Sequence, residues 1–308
     1  MILITGVSGL LGANLLLLAQ DKGLDAVGLY HRNAIDPAAA MRQAADLTDA
    51  VETARILQKL SPSYIVHCAA ATDVDWCEAH PTEANRVNVA AAATIANFTS
   101  RTGAKLVYVS TDSVFDGEVG NYAETDTPAP VNVYAKTKLQ GEREVLHRDP
   151  SAIIARVNLY GWNAQNKDSL AEWILKELGL GRSVPGFSDV IFCPMLVNDL
   201  AEILLEMLDR GLSGLYHLVG SDAVTKYEFA MRVASEFGYD ATQVVPKRLS
   251  DSKLKAPRPR NTSLNTGKIS QAMGRTMPDV DAGLRRFHEL KERGYVDRLK
   301  GDLTGVRR

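Results

Sequence analysis

The sequence predicts an α/β fold: a Rossmann-type, doubly wound parallel sheet with a smaller C-terminal substrate lobe. Three observations predict it. The chain opens as strand, glycine turn, helix and strand, with Ile2–Thr5, Gly6–Gly12, Leu10–Lys22 and Asp25–Tyr30 in those roles. Apolar runs then recur at Tyr64–Cys68, Lys105–Ser110, Ile153–Val157 and Leu215–Val219, most of them carrying β-branched residues. Stretches of helical length separate them, at Val51–Leu60, Glu83–Arg101, Tyr134–His147 and Asp199–Asp209, an alternation that argues for parallel strands covered on both faces.

After Val157 the alternation loosens. Helices are expected at Asp168–Leu178, Lys226–Phe237 and Val280–Arg293, with proline punctuation at Pro246, Pro257 and Pro259. The expected division is a cofactor-binding domain over residues 1–157, its sheet completed by part of 190–220, and a mainly substrate-binding lobe over 158–308. Lys300 to Arg308 reads as a solvated tail.

Composition narrows the function. The 308 residues are 45% hydrophobic and 23% charged, with a net charge of −2, so no basic field is present to attract nucleic acid or an anionic membrane. The apolar run Leu15–Leu18 is far too short to span a bilayer, and nothing resembles a secretory signal. Cys68, Cys77 and Cys193 show no metal-ligand spacing. The expectation is a cytoplasmic protein with reduced thiols and no metal.

Gly6, Gly9 and Gly12 lie directly between a strand and a helix. Glycines there allow a tight turn and close backbone approach to a pyrophosphate, and the helix start offers free N–H groups to that anion. The intervening Ser8, Leu10 and Leu11 join them as cofactor-binding candidates. The second strand ends Leu29-Tyr30-His31-Arg32 with no acid before Asp36. An acid there would hold the ribose hydroxyls of NAD; Arg32, helped by His31, suits a 2′-phosphate, so NADP(H) is favoured over NAD(H). Asp46 and Leu47 follow a short possible strand and are placed beside the adenine.

Tyr134 and Lys138 stand four apart in a predicted helix, which puts both side chains on one face. A nearby ammonium stabilises a phenolate, so the pair can exchange a proton. Upstream, the strand within residues 107–117 delivers Ser110 and Thr111 at its C-terminal end, where parallel sheets place ligands. Thr111 is positioned to donate a hydrogen bond to a substrate carbonyl.

Together these pieces resemble the extended short-chain dehydrogenase/reductases, and most closely the dTDP-4-dehydrorhamnose reductase group. The resemblance rests on Gly6-x-x-Gly9-x-x-Gly12; on His67-Cys68-Ala69-Ala70-Ala71 with Asp73-Val74-Asp75; on Val87-Asn88-Val89; and on Ser110-Thr111-Asp112-Ser113 running to Gly117. It continues through Tyr134-Ala135-Lys136-Thr137-Lys138 with Gly141-Glu142, Arg156, residues 197–201, residues 214–218, and Arg258-Pro259-Arg260-Asn261. It spans roughly residues 1 to 294 and implies a nucleotide-sugar substrate. By that likeness Tyr134 is the general acid, Lys138 binds the nicotinamide ribose and lowers the Tyr134 pKa, and Thr111 is the third catalytic member. Asn88 supports the active site, Ala69, Ala70 and Ala71 line the cofactor, and Arg156 lies near the nicotinamide. Asp112, Asn158 and Arg258 join Thr111 on the substrate side. Ser113, Ala135, residues 157–161 and Asn198 depart from the group's usual pattern and leave the particular sugar open.

Two rival readings share this fold. A nucleotide-sugar epimerase would retain NAD, against the basic strand end; a dehydratase would carry a second acid after Thr111-Asp112, where Ser113 stands. The regulatory β-subunit of methionine adenosyltransferase is also similar, including residues 132–142, and would bind NADP and dock on a partner. The helices Glu83–Arg101 and Tyr134–His147 are the candidate faces of a homodimer. Other residues have plainer readings: Trp76 and Cys77 as packing at a helix start, His67 as a satisfied strand residue, and His217 as core. Phe187, Phe192 and Met195 either shape a sugar pocket or fill the junction between lobes. Residues 247–260 either meet substrate phosphates or form a solvated loop.

Overall fold

The computed structural model describes residues 1–32 and 41–301; Asp36 and the tail beyond residue 301 lie outside them. The chain runs β1 (Ile2–Thr5), α1 (Leu10–Asp21), β2 (Ala26–Tyr30), β3 (Met41–Ala44), α2 (Ala50–Leu60) and β4 (Tyr64–His67). Next come α3 (Val74–Ala79), α4 (Pro81–Asn85), α5 (Ala91–Thr102), β5 (Lys105–Thr111), α6 (Val133–Arg148) and β6 (Ile153–Val157). These strands, joined by β11 described below, form a seven-stranded sheet in the order β11-β6-β5-β4-β1-β2-β3. Every neighbouring pair is parallel. The winding reverses between β1 and β4, and a sheet of this kind opens its ligand crevice at that point, beyond the C-terminal strand ends.

The helix expected over Glu83–Arg101 is instead three pieces. Pro81 starts α4, and residues Arg86–Ala90 form one π-helical turn before α5 begins. Such a turn inserts an extra residue and re-aims its side chains. Here it buries Asn88 completely while Arg86 and Val87 face the crevice.

The later chain adds β7 (Leu159–Tyr160), α7 (Leu170–Gly179), β8 (Val184–Phe187), β9 (Ile191–Phe192), β10 (Met195–Leu196), α8 (Val197–Asp209) and β11 (Gly214–Leu218). It continues with β12 (Val224–Thr225), α9 (Lys226–Glu236), β13 (Val244–Lys247), α10 (Gly267–Met273), α11 (Val280–Glu292) and α12 (Tyr295–Lys300). The edge strand β11 pairs with β6, so residues 214–218 return to the main sheet. Three two-stranded pairs, β7–β10, β8–β13 and β9–β12, sit beyond it. Such short strands carry too few residues for a period of two to appear in a sequence.

Apolar burial holds three layers together. One sheet face packs Leu15 and Leu16 of α1 against Leu200 and Leu204 of α8. The other covers Leu3, Ile65 and Leu106 with α2 and α5 through Ile56, Leu57 and Ile95. A further core, to which Ala13 and Leu17 of α1 also contribute, packs Tyr160 and Trp162 against Phe229 and Phe287. Full burial of a side chain such as Leu15 is worth roughly 1.5–3 kcal/mol. A polar knot joins the layers: Asn14 on α1 donates to the Trp162 carbonyl at 2.9 Å and accepts from Tyr295 at 2.7 Å. Among the described residues no helix is long and apolar enough to cross a membrane.

Two histidines are buried neutral. His67 shares a 2.7 Å hydrogen bond with Thr5, and burial, then the Lys138 charge, pulls its pKa down to about 3. Burial, then Arg156, holds His217 at about 4. Both pKa values are lower folded than unfolded, so the unfolded chain binds the extra protons, and stability falls as pH drops below about 6.5. Each histidine is expected to remove roughly 1.4 kcal/mol at one unit below that value. Urea unfolding at pH 7.5 and at about one unit below the histidine range would measure it; equal stability at both would contradict it.

Candidate active site

The crevice is a single long cavity of about 990 Å³ running from the end of β2, past the glycine turn, to the end of β5. Its middle is the turn. Gly6 has φ +67°, in the left-handed region, and a Cβ there would stand 2.7 Å from the Ala69 backbone. A Cβ on Gly12 would stand 2.3 Å from the Gly6 carbonyl oxygen, so only glycine lets α1 start this close to β1. Gly9 caps α1 with no side-chain hydrogen bond, which leaves the first N–H groups facing the cavity along with Ser8, Leu10 and Leu11. A pyrophosphate fits this cradle.

At the β2 end the cavity is lined by His31, Arg32, Asp46 and Leu47, with Ala69 and Ala70 nearer the middle. Asp46 accepts both the backbone N–H and the hydroxyl of Thr48, which holds its carboxyl below the usual range. Its other oxygen lies 3.9 Å from His31. Thr48 and Arg86 complete this end, Arg86 donating to Thr48 at 3.3 Å. No sequence signal pointed to Arg86, because it faces the cavity through the π-helical turn.

At the β5 end lie Ser110, Thr111, Asp112, Ser113, Tyr134, Lys138 and Asn158. Thr111 ends β5 and Asn132 starts α6 by accepting the Ala135 N–H at 2.9 Å, so the strand end and the first turn of the helix converge. The Tyr134 and Thr111 hydroxyls are hydrogen-bonded; burial nevertheless pushes the phenol up to about 12. Lys138 is only 2% exposed, and its ammonium stands 4.1 Å from the Tyr108 ring centre. Burial lowers it to about 7, against the pull of Glu142. Desolvation is the largest influence on the phenol here, and Lys138 is not among the groups that lower its pKa.

Asp112 is 3% exposed and saturated, accepting from Thr111, Ser113, Asn158 and Thr262 at 3.1, 3.2, 2.7 and 2.6 Å. It ties the end of β5 to Asn158 and to the returning C-terminal segment. Asn88 and Ala71 stand behind the cavity wall, where Asn88 accepts from the Ala71 N–H at 2.8 Å and donates to the Thr137 hydroxyl at 2.9 Å.

Arg156 is a correction to the expected site. It does not line the cavity; it is 3% exposed and forms a bidentate pair with Glu142, with Arg156 Nη2 2.8 Å from Glu142 Oε2. Ser110 donates to the same carboxylate at 2.5 Å. β-strand alternation alone could not say which charge the Arg156 side chain would meet. Arg258 also lies off the cavity lining, 3.1 Å from Asp75. Trp76, expected to pack, is 38% exposed and lines the cavity. Phe192 and Met195 are buried, Phe192 beneath the Lys226 ammonium at 4.5 Å. Among the described residues no group of three or more His, Cys, Asp or Glu could hold a metal.

A glycine cradle at the switch point of such a sheet, with Tyr134 and the buried Lys138 at its far end, marks the NAD(P)-dependent oxidoreductases of the extended short-chain dehydrogenase/reductase type. The chain belongs to the family described as RmlD substrate binding domain, whose model matches residues 1–292. It is 33% identical over 285 residues to a probable low-salt glycan biosynthesis reductase, Agl14, of Haloferax volcanii, covering 91% of this chain and 95% of that one. It is also 33% identical over 276 residues to the methionine adenosyltransferase 2 subunit beta of Pongo abelii, covering 87% and 81%. A dTDP-4-dehydrorhamnose reductase of Bacillus anthracis, solved in complex with NADP, superposes with a TM-score of 0.83 at 27% identity over 94% of this chain and 98% of that one.

Proposed function

We propose that the protein is an NADPH-dependent reductase of a keto group on a nucleotide-linked, 4-dehydrorhamnose-like sugar. The observation that carries this is the placement of Thr111, Tyr134 and Lys138 at one end of the cavity that also holds the glycine turn. The Gly6–Gly12 turn and the start of α1 would hold the pyrophosphate, His31 and Arg32 a 2′-phosphate, Asp46 and Leu47 the adenosine end, and Lys138 the nicotinamide ribose. When bound, NADPH supplies the hydride. Thr111 would turn its hydroxyl from Asp112 to the substrate carbonyl oxygen, and Tyr134 beside it would give that oxygen a proton as the carbon is reduced. A phenol held near 12 remains protonated until that oxygen gains charge. A phenolate forming on Tyr134 would favour the charged form of Lys138, which would offset the negative charge.

The test is NADPH consumption by purified protein against a panel of nucleotide-linked 4-keto-6-deoxy sugars, with NADH in parallel. The reading predicts oxidation that depends on one sugar and is faster with NADPH. The similarity to methionine adenosyltransferase β-subunits favours a second reading, a cofactor-binding partner subunit. Tight NADPH binding, no turnover on any sugar and a stable complex with a synthetase subunit would move the conclusion there.

A further inference from the structure

Trp76 is the one exposed side chain among the phenylalanines, tyrosines and tryptophans of the described residues, and it lines the catalytic cavity. The other two tryptophans pack into the core that holds Tyr160 and Phe229. Helix α3 holds Trp76 in this position from both sides. Asp73 accepts the Trp76 N–H at 2.9 Å and starts the helix. Cys77, the next residue, is fully buried, with its thiol 3.5 Å from the Ala71 carbonyl, so the indole one position earlier turns outward. Asp75 grips the Ala256 N–H at 2.9 Å and Arg258 at 3.1 Å, which fixes α3 to the C-terminal lobe. One face of the indole is backed by the His80 imidazole, 4.8 Å away and inclined by 17°. His80 is itself pinned, its Nδ1 lying 2.9 Å from the Trp76 carbonyl.

The ring lines the same cavity as Ala70, Thr72, Ser113 and Tyr134. Glu78, on the same helix as Trp76, accepts the Val133 N–H at 3.0 Å, one residue before Tyr134. The indole therefore stands at the catalytic end, where the reacting sugar must lie, rather than at the Arg86 end. An indole that lies in a cleft with one face backed by an imidazole offers its other face to a ligand. A pyranose ring presents a face of C–H groups, weakly positive, that complements the negative face of an indole.

We propose that Trp76, backed by His80, is a stacking platform for the hexose ring of the substrate, turning its keto carbon towards the cofactor and its oxygen towards Thr111 and Tyr134. The proposal rests on the reductase reading above. The site takes the hexose itself, whereas the nucleotide extends away from it.

The test uses the full chain, Trp76→Ala and Trp76→Phe, with the sugar that the panel selects. Trp76→Ala is expected to raise KM for the sugar about tenfold or more with NADPH affinity unchanged, and Trp76→Phe to keep most of the affinity. Indole fluorescence of the NADP⁺ complex supplies a readout that does not require turnover. It should change when the nucleotide sugar is added, change little with the corresponding nucleoside diphosphate, and lose that response in Trp76→Phe. An unchanged KM in Trp76→Ala, with the sugar still turned over, would overturn the platform and leave the reductase reading intact. Weakened NADPH binding, or an equal response to the nucleoside diphosphate, would likewise overturn it by assigning the ring to the cofactor or the base. No sugar turned over by the unaltered protein would overturn both.

Discussion

Tyr134→Phe is expected to lower turnover by about 10²–10⁴-fold while leaving NADPH affinity nearly unchanged. The substitution removes one oxygen from a side chain that is otherwise held by its helix. Asn132 still caps α6, Thr137 still donates to the residue 134 carbonyl, and Lys138 still sits over Tyr108. What disappears is the phenol hydrogen-bonded to Thr111, the group held protonated by burial at the point where the carbonyl oxygen gains charge. Thr111 alone retains a hydrogen bond to that oxygen but no proton source backed by an ammonium. Titrating NADPH into the variant and then measuring its steady-state rate separates the two roles. A variant with full turnover would remove Tyr134 from the mechanism, and one that no longer bound NADPH would make it a cofactor ligand instead.

Arg156→Met is expected to cost about 3–5 kcal/mol of stability, because it strands a buried carboxylate. Glu142 is nearly inaccessible and depends on Arg156 and Ser110 for its partners. Arg156 in turn stacks over Phe115 at 5.1 Å and approaches His217 at 3.4 Å, so its loss disturbs β6, β11 and the segment that follows β5 together. Replacing both charges, as in Glu142→Leu with Arg156→Met, should recover most of that loss, since a buried pair owes little net stability to its charges. Chemical denaturation of the two variants measures the difference. If the single substitution changed NADPH affinity and spared stability, Arg156 would be a cofactor residue after all.

The residues that could be read from the sequence are those whose geometry is local. The Gly6–Gly12 turn lies between a run of buried β-branched residues and a helix, and the four-residue spacing of Tyr134 and Lys138 fixes their common face whatever packs around them. The return of residues 214–218 to the sheet edge followed from an apolar run of strand length. What stayed hidden depends on distant partners. Arg156 meets Glu142 across 14 residues and a change of element, and a strand arginine beside a predicted site looks like a ligand until its counter-ion is seen. Glu142 stands one turn beyond Lys138 on the same helix face, a spacing that could have suggested a link. Trp76 looked like packing because an apolar residue at a helix start usually is; only the burial of Cys77 beside it shows which side faces inward. The break at Arg86–Ala90 could not be found from helical periodicity, because a single π turn leaves the propensity of its residues unchanged.

The measurement that tests the account most directly is label transfer from NADPH deuterated at nicotinamide C4, in the stereochemical form from which label leaves, to the sugar that the panel selects, with Tyr134→Phe run beside the unaltered protein. The account predicts one deuterium on the carbon that carried the keto oxygen, one NADPH oxidised for each sugar reduced, and a rate that collapses in the variant. Sugar converted with no deuterium gained and no net NADPH consumed would contradict it, and would point to an isomerase that regenerates its own cofactor.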